Sequence, residues 1–228
     1  MQQQIPLGFK FNNEVTFVTF VPGDSAQAVM AIQKLGHEKD ERYIYIWGGQ
    51  GAGKTHLLQA LCQQYSEQQR PVAYLALEDR DHYPPSILDG LENLSLVCID
   101  DIEHVAGNAE WEEALFHLFN RMRDHKTPLL ISGSKPPAQL NLQLPDIKSR
   151  MGWGLTLQIK LLNDVDKLLA LQKRASMRGM VLSDESGQFL LSRYSRDLND
   201  LFNLLDKLDK ASLSEQRRLT IPFIRQHL

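Results

Sequence analysis

The run Gly48-Gly49-Gln50-Gly51-Ala52-Gly53-Lys54-Thr55 fits the pattern G-x-x-x-x-G-K-[ST]. Glycines at that spacing let successive backbone N–H groups turn inward around phosphate oxygens, and a helix opening at the lysine adds the positive end of its dipole. Lys54 would reach the β- and γ-phosphates of a nucleotide, and the Thr55 hydroxyl would complete a Mg²⁺ shell. The bland alternative is a glycine-rich turn that binds nothing. A site of this kind needs an acid at the end of a second parallel strand, and Leu96-Val97-Cys98-Ile99-Asp100-Asp101 supplies two. Asp100 is the candidate Mg²⁺ ligand. Asp101 is the candidate carboxylate to polarise an attacking water, although it is shorter than a glutamate. A solvent-facing acidic turn is the alternative for both. In Ser132-Gly133-Ser134-Lys135, Ser134 is the hydroxyl chosen to touch a γ-phosphate or its water, against an ordinary turn serine.

Positioning these groups at one sheet edge requires strands that end there. Tyr43-Ile44-Tyr45-Ile46-Trp47 is rich in β-branched and aromatic residues and stops at Gly48-Gly49, so it reads as a strand. A helix follows from Lys54 to about Gln68. Val72–Leu77, Leu94–Ile99, Leu129–Ile131 and Leu155–Ile159 supply four further strands, apolar on both faces where a covered parallel sheet is expected. Trp111, Ala114, Leu115, Leu118, Phe119 and Met122 recur at helical spacing, which gives a helix packed on that sheet. Repeated strand–helix alternation predicts an α/β fold, a three-layer α/β/α sandwich around a parallel five-stranded sheet.

After residue 160 the strand pattern stops. Helices are expected from an Asn163 cap towards Gly179, after Ser183, through Leu198, Leu201, Phe202, Leu205 and Leu208, and from Thr220 to His227. The expected organisation is a loose tail over 1–12, an α/β nucleotide-binding core over 13–161, and a small helical subdomain over 162–228.

Composition narrows the function classes. The 25 Lys+Arg against 28 Asp+Glu leave a net charge of −3, which argues against holding nucleic acid over a broad surface. Hydrophobic residues at 43% suffice for a core and exceed what disorder tolerates. No stretch approaches ~18 consecutive apolar residues, and Met1–Pro6 lacks a basic-then-apolar leader pattern, so a soluble cytoplasmic chain is expected. Cys62 and Cys98 read as buried thiols. His56 reads as a packing or capping residue. His104, His117 and His125 have no ligand spacing, so no transition-metal site is expected.

The order of phosphate loop, helix, Asp-Asp strand, polar strand end and helical appendix resembles AAA+ ATPases. Thr16–Ser25 is similar to the entry segment of the bacterial replication initiator DnaA, Ile99–Ile102 to its Walker B segment, and Lys148–Gly154 to its arginine-finger box. Leu91–Asp100, Gln139–Asp146 and Arg217–Phe223 resemble the DnaA-related Hda family, and the resemblance covers essentially the whole chain. It implies ADP or ATP with Mg²⁺ as the cofactor and a regulatory role in replication initiation. It also implies that Arg150, within a polar segment before a strand, is an exposed arginine finger acting in trans on DnaA's ATP site. Gln2-Gln3-Gln4-Ile5-Pro6-Leu7 resembles the peptide by which such proteins bind the β sliding clamp of DNA polymerase III. There Gln2 would hydrogen-bond, Ile5 and Leu7 would fill apolar pockets, and Pro6 would limit lost entropy.

Where the family carries an Arg facing the phosphates from its third lid helix, this chain has Asn199, with Arg196 one turn earlier as a partial substitute. Weak hydrolysis by the chain itself is the consequence. Its extent also matches a family member without a helix-turn-helix domain, so no sequence-specific DNA binding is expected. The expected partners are DnaA and the clamp, with a homodimer left open. An autonomous P-loop ATPase or kinase, and a non-catalytic clamp or helicase-loader accessory, are the competing readings.

Overall fold

The computed structural model describes residues 14–37 and 41–228. These divide into two compact units. One contains the described residues up to Phe17 together with Ser25–Lys160, and the other contains Val18–Asp24 and Leu161–Leu228.

The first unit is built on five parallel strands: β1 (Tyr43–Trp47), β2 (Val72–Ala76), β3 (Leu96–Asp100), β4 (Leu129–Gly133) and β5 (Leu155–Gln158). Their order across the sheet is β2-β3-β4-β1-β5. Its helices are α1 (Ala26–Gln33), α2 (Lys54–Glu67), α3 (Ala109–His125) and α4 (Pro145–Met151). Tyr45, Val97, Ile99, Leu129 and Ile131 share one buried cluster with Trp111, Leu115, Leu118 and Phe119 of α3. The alternate strand residues Ile44, Ile46, Cys98 and Leu130 are equally buried. They face the layer of α2, whose Cys62 thiol lies beside Cys98. Both thiols are free and buried. Coverage on both faces is why β1, β3 and β4 read as continuous apolar runs rather than as alternating ones. The expected α/β sandwich is what forms.

Strand ends fall within two residues of the expected ones, α7 runs seven residues past Leu208, and two α-helices were not foreseen. Ala26–Gln33 is short. Pro145–Met151 begins with proline at its first position, where the missing N–H costs nothing. It buries only Ile147 and Met151, four apart, so its apolar signal is a single pair.

The second unit consists of α5 (Asp164–Met177), α6 (Asp184–Arg193), α7 (Leu198–Glu215) and α8 (Ile221–His227). Asn163 caps as expected and Ser183 caps the helix that follows it, accepting from the N–H groups of Asp166 and Ser186. Leu171, Leu190, Leu201, Leu205, Leu208, Phe223 and Ile224 form its core. No helix among the described residues is long and apolar enough to cross a membrane.

Candidate nucleotide site

Because β4 lies between β3 and β1 and all three run parallel, the segments leaving their ends converge at one edge. The register pairs Trp47 with Gly133 and Ile46 with Ser132. The loop leaving β1 therefore begins beside the end of β4, and Asp100 ends β3 on the other side.

Gly51 and Gly53 have φ of 77° and 88°, a left-handed backbone that glycine adopts without penalty. Gly48 is fixed by packing, since a Cβ there would lie 2.2 Å from the Ile159 carbonyl oxygen. Gly48, Ala52 and Lys54 are buried, while Gly49, Gln50 and Thr55 are exposed. Gly53 begins α2 with no side-chain cap, which leaves the first-turn N–H groups of that helix for an anion. The Lys54 ammonium turns back to donate to the Gly48 carbonyl at 3.1 Å, and lies 3.9 Å from Asp101 Oδ1. His56 meets the Thr16 carbonyl at 2.9 Å, the packing role expected of it.

Asp100 is buried and oriented from two sides. Tyr74 donates to its Oδ2 at 2.8 Å, and the Ser132 hydroxyl donates to its Oδ1. Burial, then the Asp100 charge, pushes the Tyr74 phenol up, so it remains a neutral donor. Ser132 also accepts from the Asp101 N–H at 2.8 Å, tying both aspartates to β4. Sequence reasoning quoted Ser132 but chose Ser134, because the strand was expected to end at Ile131, whereas β4 runs on to Gly133 and carries Ser132 inside the sheet. Ser134 lies just beyond β4 and is exposed. Asp101 has φ 54° and ψ 60°, a left-handed conformation uncommon outside Gly, Asn and Asp. Burial, followed by the Asp100 charge, raises its carboxyl to about 6, against a lowering by Lys54.

The donor set suits the expected group. Thr55 hydroxyl and Asp100 carboxylate oxygens are hard ligands of the kind Mg²⁺ takes when phosphate oxygens complete its shell. No cluster of three or more His, Cys, Asp or Glu among the described residues forms a metal cage of its own.

The sequence leaves open how far Arg150 is exposed in the resting form. Arg150 lies on α4 and is half-buried. Its guanidinium sits 4.3 Å from the Phe116 ring centroid and 4.8 Å from that of Trp153, and donates to the Asn120 side-chain oxygen. The half-burial has a plain cause: Phe116 and Asn120 are four apart on α3, on one helix face, and α3 packs on α4. Arg196 and Asn199 belong to the helical unit, both exposed; the Asn199 N–H donates to the capping Asp197 at 2.9 Å. Gln2, Ile5, Pro6 and Leu7 lie outside the described residues.

A glycine-cradled phosphate loop between a parallel strand and a helix, with paired aspartates two strands away, defines a P-loop NTPase of the AAA+ type. The chain belongs to the bacterial DnaA ATPase domain family, whose model matches residues 11–158. Residues 164–228 match the lid domain of Hda. Domain III of the Thermotoga maritima replication initiation protein DnaA superposes with a TM-score of 0.80 at 22% identity, covering 96% of this chain and 98% of that one. AMPPCP-bound DnaA from Aquifex aeolicus gives 0.73 at 21% identity, over 90% and 67% of the two chains. The Thermotoga maritima RuvB Holliday junction branch migration motor gives 0.64 at 17%, over 89% and 65%. At these identities the likeness is one of fold.

Proposed function

We propose that this chain is a nucleotide-binding regulator of replication initiation. Held on the sliding clamp, it docks onto ATP-loaded DnaA and stimulates hydrolysis there through Arg150, which prevents re-initiation. The observation that carries the reading is the pairing of a DnaA-type ATPase domain with an Hda-type lid in one chain. The Gly48–Thr55 loop would hold ADP or ATP, with Lys54 meeting its phosphates and Thr55 and Asp100 holding Mg²⁺, which would supply charge neutralisation. Arg150 leaves Phe116 and Trp153 to stabilise the charge that grows on the neighbour's γ-phosphoryl, a contribution of about 10³–10⁵ in rate in related systems. The clamp is gripped by Gln2, Ile5, Pro6 and Leu7, and DNA is reached through the clamp rather than read directly. The setting is cytoplasmic.

The test uses purified DnaA, DNA-loaded clamp and this chain. Arg150→Ala should abolish stimulated hydrolysis while clamp and nucleotide binding persist, and removal of residues 1–8 should abolish clamp binding. Full stimulation by Arg150→Ala overturns the role. A second reading, ATP turnover by the chain alone, draws support from Asp101, a carboxylate raised to about 6 and 3.9 Å from the phosphate-loop lysine. Turnover without any partner, lost in Asp101→Asn, favours it.

A further inference from the structure

A cavity of about 460 Å³ opens at the opposite end of the sheet from the phosphate loop. Tyr43 and Leu129, which line it, are the first residues of β1 and β4, whereas the loop leaves the last residue of β1. Its volume lies in the range of small-molecule sites. Phe119, Met122 and the half-exposed Trp153 give it an apolar wall.

Among the described residues the charge inventory of this cavity is one-sided: Arg42, Arg123, Lys126 and Arg150 line it against one carboxylate, Glu41. Arg123 has a surface pairing with Asp124 at 3.3 Å, and Lys126 is paired with no acid among the described residues. Arg123 and Lys126 are exposed, and cations in surplus beside an apolar wall suit a negatively charged ligand.

We propose that this cavity binds a small aromatic anion. The ring lies against Phe119, Met122 and Trp153, and the anionic group lies among Arg123, Lys126 and Arg150. Recognition combines burial of a flat apolar surface with charge-assisted hydrogen bonds from the rim. The proposal is independent of any action of Arg150 on another molecule.

The probe is 1-naphthyl phosphate, titrated calorimetrically into the full chain with the phosphate loop saturated by ADP and Mg²⁺. Binding of one equivalent is expected, with affinity falling as salt rises. The exposed pair Arg123→Gln/Lys126→Gln should weaken it about tenfold, and uncharged 1-naphthol should bind about tenfold more weakly than the phosphate. Absence of binding beyond ADP, or equal affinity in wild type and the Arg123→Gln/Lys126→Gln variant, overturns the site. Neither result bears on the nucleotide loop or on stimulation of DnaA.

Discussion

The Arg150 guanidinium lies 4.3 Å above the Phe116 ring of its own subunit, with Trp153 at 4.8 Å. A cation held between aromatic faces at a partly buried site is favoured by about 0.5–2 kcal/mol. The proposed action on DnaA would begin with withdrawal of the guanidinium from this cage, at a cost that the neighbour's phosphate charge would have to outweigh. Phe116→Leu keeps an apolar side chain on α3 and removes the ring. We expect it to lower stability by less than about 1 kcal/mol. At limiting concentrations it should raise stimulated DnaA hydrolysis severalfold, as followed by phosphate release. A fall in stimulation would show that the ring positions the finger instead of restraining it.

Asp101 makes the stability of the first unit depend on pH in a defined direction. Its carboxyl is raised by burial to about 6, and an unfolded Asp titrates near 3.9. Between these values the folded form keeps a proton that the unfolded chain has released. Stability therefore falls as pH rises from about 4 to 6, and the whole cost is present at pH 7. Two pKa units set a ceiling of about 3 kcal/mol. The side chain is 29% exposed, so about 1 kcal/mol is the expectation once solvent screening is counted. Asp101→Asn suits the left-handed backbone and removes the titration. Thermal unfolding across pH 4–7 should show the variant gaining on wild type with rising pH. Parallel curves would mean that the cause assigned to the shift is wrong.

Much of the α/β unit was legible because its strands are covered on both faces, so β1 and β3 announce themselves as unbroken apolar runs. The phosphate loop was legible because its chemistry is local to eight consecutive residues. What escaped depends on contacts far apart in sequence. Arg150 meets Phe116 across 34 positions, and no spacing rule links them. Ser132 was expected just past a strand ending at Ile131, and only the two further residues of β4 turn its hydroxyl towards Asp100. The grouping of Val18–Asp24 with the helical unit is a tertiary fact carried by no motif.

The two serines at the end of β4 make a direct contrast. Ser132 is fully buried, donating to Asp100 and accepting from the Asp101 N–H. Its replacement by alanine leaves that N–H without a partner and removes one of the two donors that orient Asp100. We expect Ser132→Ala to cost about 2–3 kcal/mol in chemical denaturation. Affinity for ADP with Mg²⁺, measured calorimetrically, should fall severalfold. Ser134 is exposed, so Ser134→Ala should change stability by no more than about 0.5 kcal/mol. The opposite ranking in stability would remove Ser132 from its positioning role.

Glu112 secures the segment that leads into α4. It is a buried carboxylate on α3 that accepts from the N–H groups of Gly107 at 2.8 Å, Gln143 at 2.8 Å and Leu144 at 2.7 Å. These contacts tie the start of α3 to the two residues before Pro145, and so fix where α4 and Arg150 begin. An ionised carboxylate accepting several N–H groups makes hydrogen bonds of about 1.5–3 kcal/mol, stronger than a neutral amide does. In Glu112→Gln the NH₂ group would face a backbone N–H, so at least one donor loses its acceptor. The expected loss is about 2–3 kcal/mol, and Glu112→Ala, which leaves all three donors unpaired, should lose more. Hydrogen exchange should report the change at Gln143 and Leu144 before it reaches the central strands. If Glu112→Gln unfolds at the wild-type denaturant concentration with unchanged exchange there, the carboxylate is not what anchors α4.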